Sequence, residues 1–333
     1  MSNSTPIANT APTAAIAQSH AKYLPYIAVV GGANMDIGAQ TPTPMVTGDS
    51  NPGHIRCAPG GVARNVAENL ARLGHQACLL SAVGDDVFGK CLLEASAKAG
   101  VDTKAVCCLA SQRTASYLSL HGPDGDMAVA VNDMDILEHL SPTFLAPHTA
   151  MLQSAACTVL DCNLSPDTLA WLLTQTRTPP VFVDAVSMAK CGRIAPWLSR
   201  IHLLKVNRLE AEVLCGRAVR SVEEGLQSAR HLHEGGVRHV VVSLGEQGVC
   251  WCDADGAVGW QAVRPVKVVN TSGAGDALLA GLVHAHLQSM PISVAVDFAM
   301  ACAELTLSST FANAPELSVA LVQRHLSASS SFV

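Results

Sequence analysis

The stretch VVNTSGAGDALLAGLVHAHL, Val268 to Leu287, places a Gly-Ala-Gly-Asp run directly before an apolar helical pattern. A helix N-terminus carries unpaired N–H groups and the positive end of the helix dipole. With the helix starting near Gly273, the N–H groups of Gly273, Ala274, Gly275 and Asp276 have no intrahelical partners, and small residues let an anion approach them. Asp276 then projects from the first turn beside that anion. On this stretch alone two readings stay open. One is an acidic residue at a helix start with glycines for close packing. The other is an anion hole for a phosphoryl group with Asp276 as proton acceptor.

The surrounding chain predicts an α/β fold. YIAVVGG (Tyr26–Gly32), ACLLSAVG, TVLD, VFVDA, HLLKVN and HVVVSLG are short apolar runs that read as buried strands. They alternate with helical patterns in GGVARNVAENLARLG, in VFGKCLLEASAKAG and near 165–176, 208–215 and 222–234. Such alternation points to a mostly parallel sheet covered on both faces. Val62, Val66, Leu70 and Leu73 share a helical face that Gly74 ends. Residues 39–58 are rich in Thr, Pro and Gly and read as loop or edge structure. TASYLSLHGPDGDMAVAV reads as a hairpin around Pro-Asp-Gly. Loop and hairpin together form a candidate small lid. The last third, 273–326, reads as mostly helical.

Composition narrows the class. The 333 residues are 49% hydrophobic and 14% charged, which suits one large core. A net charge of -6 argues against a nucleic-acid scaffold. The 12 cysteines are scattered without a C-x-x-C pair, which reads as reduced thiols in a cytoplasmic protein. Residues 1–22 lack a basic segment before an apolar block and are expected to be a disordered tail. No apolar run reaches the roughly 18 residues of a membrane span.

Other phosphate devices fit poorly. GDDVFGKC (Gly84–Cys91) approaches a P-loop, but Cys91 stands where a hydroxyl should hold Mg²⁺, and Asp85 and Asp86 would repel phosphate. The first strand ends in GGANMD, without the dinucleotide-binding glycine pattern. Further polar pairs have a ligand reading and a local one. Asn34 and Asp36 suit a vicinal diol or an Asx turn. In PGGVARN, glycines open a helix with Asn65 one turn in. Asn207 and Glu210, at i and i+3, suit Mg²⁺ held through water or a capping box.

These elements occur in one order: N-x-D after the first strand, G-G…N at a helix start, N-x-x-E in mid-chain and T-x-G-A-G-D late. In that order they resemble the ribokinase-like (PfkB) family of sugar and nucleoside kinases, over about residues 26–326. The resemblance implies a three-layer α/β/α sandwich with a mostly parallel central sheet and a small β lid. It implies one kinase domain over 23–333 with lid elements near 39–58 and 111–133. Asp276 resembles the catalytic base, and Gly273, Ala274 and Gly275 the anion hole. Asn34, Asp36, Gly60, Gly61 and Asn65 resemble sugar ligands. Asn207 and Glu210 resemble the pair that positions Mg²⁺ and ATP phosphates. Ser243, Gly245, Gly248 and Thr271 resemble nucleotide-binding positions, with adenine expected near 301–310. Asn270 departs from the family's usual Asp.

VDAVSMAK, AVAVNDMDIL and VVNTSGAGDALLAG resemble the pseudouridine-directed branch, which phosphorylates a nucleoside 5′-hydroxyl. In that branch Lys190 would address uracil carbonyls, and Ser116 and Asn132 would close over base and ribose. Other nucleoside or sugar kinases, and a non-catalytic nucleoside sensor, stay as alternatives. The resemblance implies ATP, Mg²⁺ and a small nucleoside or sugar as ligands, with neither nucleic acid nor membrane as partner. It leaves open a monovalent cation and a homodimer formed through the lids. Asp276, at the positive end of its own helix, is expected to stay ionised at neutral pH.

Overall fold

The computed structural model describes residues 25–174 and 179–330. The expected tail over 1–22 lies outside the described residues. The chain opens with β1 (Tyr26–Val30), β2 (Asn34–Gln40), β3 (His54–Gly60) and α1 (Val62–Arg72). It continues through β4 (Gln76–Leu80), β5 (Ala82–Gly84), α2 (Val87–Lys98), β6 (Cys107–Leu109), β7 (Ser116–His121) and β8 (Met127–Asp133). Two short helices, α3 (Pro142–Leu145) and α4 (Thr149–Ser154), lead to β9 (Cys157–Asp161), α5 (Pro166–Thr174) and β10 (Val181–Asp184). Next come β11 (Leu203–Asn207), α6 (Arg208–Cys215), α7 (Val222–Glu234), β12 (His239–Ser243), β13 (Val249–Cys252) and β14 (Val258–Gln261). The end is helical: α8 (Ala274–Leu287), α9 (Ile292–Leu307) and α10 (Val319–Ser330).

The main sheet has the order β14-β13-β12-β11-β10-β9-β1-β4. From β12 to β4 every pairing is parallel, and β13 and β14 add an antiparallel edge. Side-chain alternation makes three layers. Ala28, Val30, Leu160, Val183, Leu204 and Val242 pack with Leu169, Ala211 and Leu232 of α5, α6 and α7. Ile27, Val29, Val159, Phe182 and Val241 pack on the other side with Val66, Leu279 and Val296 of α1, α8 and α9. Strands buried on both faces therefore read as continuous apolar runs. Helix α1 ends in a Schellman closure, Gly74 N to Ala71 O and His75 N to Leu70 O, with Gly74 left-handed at φ 88°.

Two sequence expectations change. ACLLSAVG is two strands, because Ser81 breaks the run: its hydroxyl donates to Gly31 O, and β5 pairs with β6 instead of β1. Asn34 and Asp36 lie on a strand, not a turn, whereas residues 54–58, expected as loop or edge structure, lie on the edge strand β3. Strands β3-β2-β7-β8 form a separate four-stranded sheet. Its register fixes two faces. Asp36, Tyr117 and Asn132 share one, while Ile37, Leu118 and Val131 share the other.

A histidine cluster lies at the far end of α8. His75 Nε2 and His284 Nδ1 are 2.8 Å apart, and His202 Nε2 and His286 Nδ1 are 3.2 Å apart. Burial, then neighbouring imidazoles, pushes His202 down to about 3 and His284 down to about 4. An unfolded histidine takes a proton near pH ~6.5, which these folded ones refuse, so their contribution is complete above that pH and erodes as pH falls toward 4. Buried carboxyls with raised pKa act in the opposite sense, so the informative quantity is a difference. His284→Phe should lose less melting temperature than wild type between pH 7 and pH 5, by differential scanning fluorimetry; parallel curves would exclude this linkage.

Candidate active site

The site forms where the parallel strands end, the region in which open α/β sheets bind ligands. Asp161, the last residue of β9, accepts hydrogen bonds from Gly32 N (2.8 Å), Ala63 N (3.0 Å) and Asn163 N (2.8 Å). A side chain at Gly31 would collide with that carboxyl group. Gly61, the α1 N-cap, has φ 97°, and a Cβ there would strike Gly32 O. The glycines of PGGVARN thus seat α1 against the end of β1. One turn in, Asn65 Nδ2 donates to Asp276 Oδ2 at 2.8 Å. Asn34 Nδ2 donates to Asp36 Oδ1 at 2.6 Å, and the Asp36 carboxyl lies where a Gly60 side chain would be. Asn34, Asp36, Gly60, Gly61, Asn65 and Asp276 therefore converge.

Gly273 is the left-handed N-cap of α8, φ 78°, and a Cβ there would overlap Ala312 O. The first intrahelical bond is Ala277 N to Gly273 O, 2.9 Å, so the N–H groups of Ala274, Gly275 and Asp276 precede the ladder. Asp276 is buried. Burial, then the Asp184 carboxylate, with Asp161 adding to it, pushes its pKa up to about 8, against Asn65 and Lys205. This corrects the expectation of an ionised Asp276: desolvation and like charge outweigh the helix dipole. A carboxylate in this range is a stronger base than an ordinary Asp and better matched to taking a proton near neutral pH.

Asn207 and Glu210 form a closed capping box. Glu210 N donates to Asn207 Oδ1, and the Glu210 carboxylate accepts from Asn207 N and Nδ2. Among the described residues, no group of three or more His, Cys, Asp or Glu could hold a metal ion. With both side chains engaged in this box, the pair suits a cation kept at one remove by water. Ser243 is paired with Asn207 across β11 and β12. Gly248 is left-handed at φ 94°, with no room for a Cβ against Gln261 O, so hairpin packing accounts for it; Gly245 has open space beside it. Thr271 is exposed. Of the segment 301–310, Ala301, Cys302 and Thr306 are core, which leaves only its end, near Ser308 and Thr310, open to a ligand. Asn270 Oδ1 accepts from Ser272 N, and Nδ2 reaches Thr310 O at 3.4 Å.

Lys190 Nζ donates to Asn163 Oδ1 at 2.6 Å, and the Asn163 amide lies over Gly32. Lys190 follows a tight turn in which Val186 has φ 66°, an unfavourable value for a β-branched residue. Asn132 shares the Asp36 face, but Ser116 does not. Ser116 pairs with Met35, faces the other side, and lines a separate cleft of about 480 Å³ with Asp86, Phe88, Arg113 and Asp133. Strand alternation, invisible without the register, separates them. Asp86 itself caps α2, accepting from Gly89 N and from Thr114 N and Oγ1, so GDDVFGKC is a structural turn.

A family model described as pfkB family carbohydrate kinase matches residues 24–318. The chain belongs to the pfkB family. This pfkB chain is 42% identical over 297 residues to the pseudouridine kinase of Escherichia coli, covering 89% of this chain and 95% of that one. A carbohydrate kinase structure from Agrobacterium tumefaciens matches with TM-score 0.79 at 29% identity, covering 91% and 97% of the two chains. Arabidopsis thaliana ribokinase, solved with ribose and ATP, matches with TM-score 0.82 at 22% identity over 91% and 99%, a likeness of fold. The fold is ribokinase-like α/β, and the pfkB chain is a phosphotransferase acting on a hydroxyl group.

Sequence reading missed Asp161, Asn163, Asp184 and Lys205. The signal was present: TVLD and VFVD are apolar strands that each end in Asp, and a carboxylate at the end of a buried parallel strand points into the ligand region.

Proposed function

We propose that the protein transfers the γ-phosphoryl group of ATP to the 5′-hydroxyl of pseudouridine. The observation that carries this reading is the juxtaposition of Asp276, held by Asn65 at the open first turn of α8, with the Lys190–Asn163 pair near Gly32. Lys190 and the Asn163 amide offer N–H donors, which suit the carbonyl-bearing edge of a uracil ring. The 42% identity to a pseudouridine kinase supports the same substrate.

In this reading Asn34 and Asp36 take the ribose hydroxyls. The face that carries Tyr117 and Asn132 closes over the nucleoside and excludes water. Asp276 receives the 5′-hydroxyl proton as that oxygen bonds to the γ-phosphorus. The bond from phosphorus to the bridging oxygen breaks, and its electron pair leaves with ADP. The N–H groups of Ala274, Gly275 and Asp276 stabilise the charge on the transferring oxygens. Mg²⁺, reached through water from Glu210 and Asn207, would neutralise phosphate charge when bound. The 12 free cysteines suit a cytoplasmic protein. We further propose a homodimer through the opposite lid face, where Ile55, Leu118, Val129 and Val131 are exposed. Sedimentation should give a dimer at micromolar concentration, and Val131→Glu should dissociate it; a wild-type monomer would remove this assembly.

The function is tested by ADP release with pseudouridine, uridine, adenosine, inosine, ribose and fructose as acceptors. Pseudouridine should give the highest kcat/KM, and Asp276→Asn should lower kcat by ~10³-fold or more while both ligands still bind. Turnover with another acceptor alone would replace the substrate, and no turnover with any would favour a sensor. Lys190→Ala should raise KM for pseudouridine far more than for ribose; equal effects would remove Lys190 from base recognition.

A further inference from the structure

Lys205 is part of neither the family resemblance nor the sequence-derived site, yet it is the most deeply buried lysine beside Asp276. It stands on β11, with its side chain 8% exposed, and its Nζ lies 3.0 Å from Asp184 Oδ2 at the end of β10. An ammonium has three N–H donors. Among the described residues, the hydrogen bond to Asp184 is the one that Lys205 Nζ makes. A desolvated cation with a single acceptor is costly unless another anion completes its shell.

The position of the ammonium shows where that anion would sit. A Cβ built on Gly275 would lie 2.7 Å from Lys205 Nζ. The lysine head therefore occupies the space under the first turn of α8, beside the bare Gly275. That turn carries the N–H groups read above as the anion hole. The groups around it are acidic: Asp161 and Asp184 at strand ends, Glu210 on α6 and Asp276 on α8, all buried. A phosphoryl group arriving among four carboxyl groups needs a nearby positive charge. The other fully buried cation on this side, Arg64, is committed to Glu68, Asn313 and backbone carbonyls.

We propose that Lys205 is a catalytic residue whose ammonium, held by Asp184 beneath Gly275, donates a hydrogen bond to the γ-phosphoryl group during its transfer. This rests on the reading of the α8 first turn as the transfer site. Lys205 keeps its proton throughout. The acceptor proton goes to Asp276, the new oxygen–phosphorus bond forms, and the leaving electron pair departs with ADP.

The test compares Lys205→Met, Asp184→Asn and the charge-free double variant, using the acceptor that wild type turns over. A structural ion pair and a catalytic cation differ in the double variant, because removing both charges leaves no buried charge unpaired. Lys205→Met and the double variant should each lose ~10²–10³-fold in kcat, as when one donor of an anion hole is deleted. KM for the acceptor should stay within about threefold, and the double variant should recover the melting temperature that Lys205→Met loses. Recovery of kcat to within about tenfold of wild type in the double variant would overturn the proposal. So would failure of both lysine variants to fold, which would make the pair a structural requirement. Asp276→Asn is the control: near-wild-type turnover there would refute the transfer site itself, whatever Lys205 does.

Discussion

The Asp161 carboxyl group gathers three backbone N–H groups, from Gly32, Ala63 and Asn163, that belong to the end of β1, the start of α1 and the loop after β9. Most of the site hangs on this knot. It holds the N-terminus of α1, so that Asn65 meets Asp276 on α8. It sets the Asn163 loop, whose side chain receives Lys190. Because Asp161 is buried, the hydrogen bonds that satisfy it must all be made at once, which couples chain segments about a hundred residues apart in sequence.

Around that knot the fold concentrates acids. Four parallel strands, β1, β9, β10 and β11, end side by side, and two of them end in Asp. In a region of low dielectric these carboxyls raise one another's proton affinity, and Asp276 shows the result, at about 8. Lys205 responds in the complementary sense. Burial works against its charge, but Asp184, Glu210 and Asp276 outweigh burial and hold its pKa above the ordinary value. Perturbed groups of this kind cluster at functional sites and also occur in structural ion-pair networks. Here the arrangement brings the Asp276 carboxyl on α8 and the Lys205 ammonium from β11 to the same first helical turn.

Much of this was legible beforehand. The strand–helix alternation and the apolar runs gave the three layers, since a strand buried on both faces must be apolar throughout. The order of the GGVARN, NRLE and TSGAGD elements carried the family; in the structure Asn65 meets Asp276, and Asn34 meets Asp36. Two motifs show their local readings in the structure: Asn207 and Glu210 close on each other, and Gly248 is packed against the hairpin it belongs to.

The sequence by itself determined what local rules can encode: the period of each element, the glycine that ends α1, the open turn before α8 and the residue types that chemistry requires. Tertiary structure decided what depends on neighbours far along the chain. Ser116 lies off the Asp36 face because the pairing of β7 with β2 puts it beside Met35. Asp276 has a raised proton affinity because burial and the Asp184 and Asp161 carboxyls act on it together. The space beside Gly275 is filled by the head of a lysine 70 residues earlier. Register, desolvation and close approach are properties of the assembled sheet, and no window of sequence contains them.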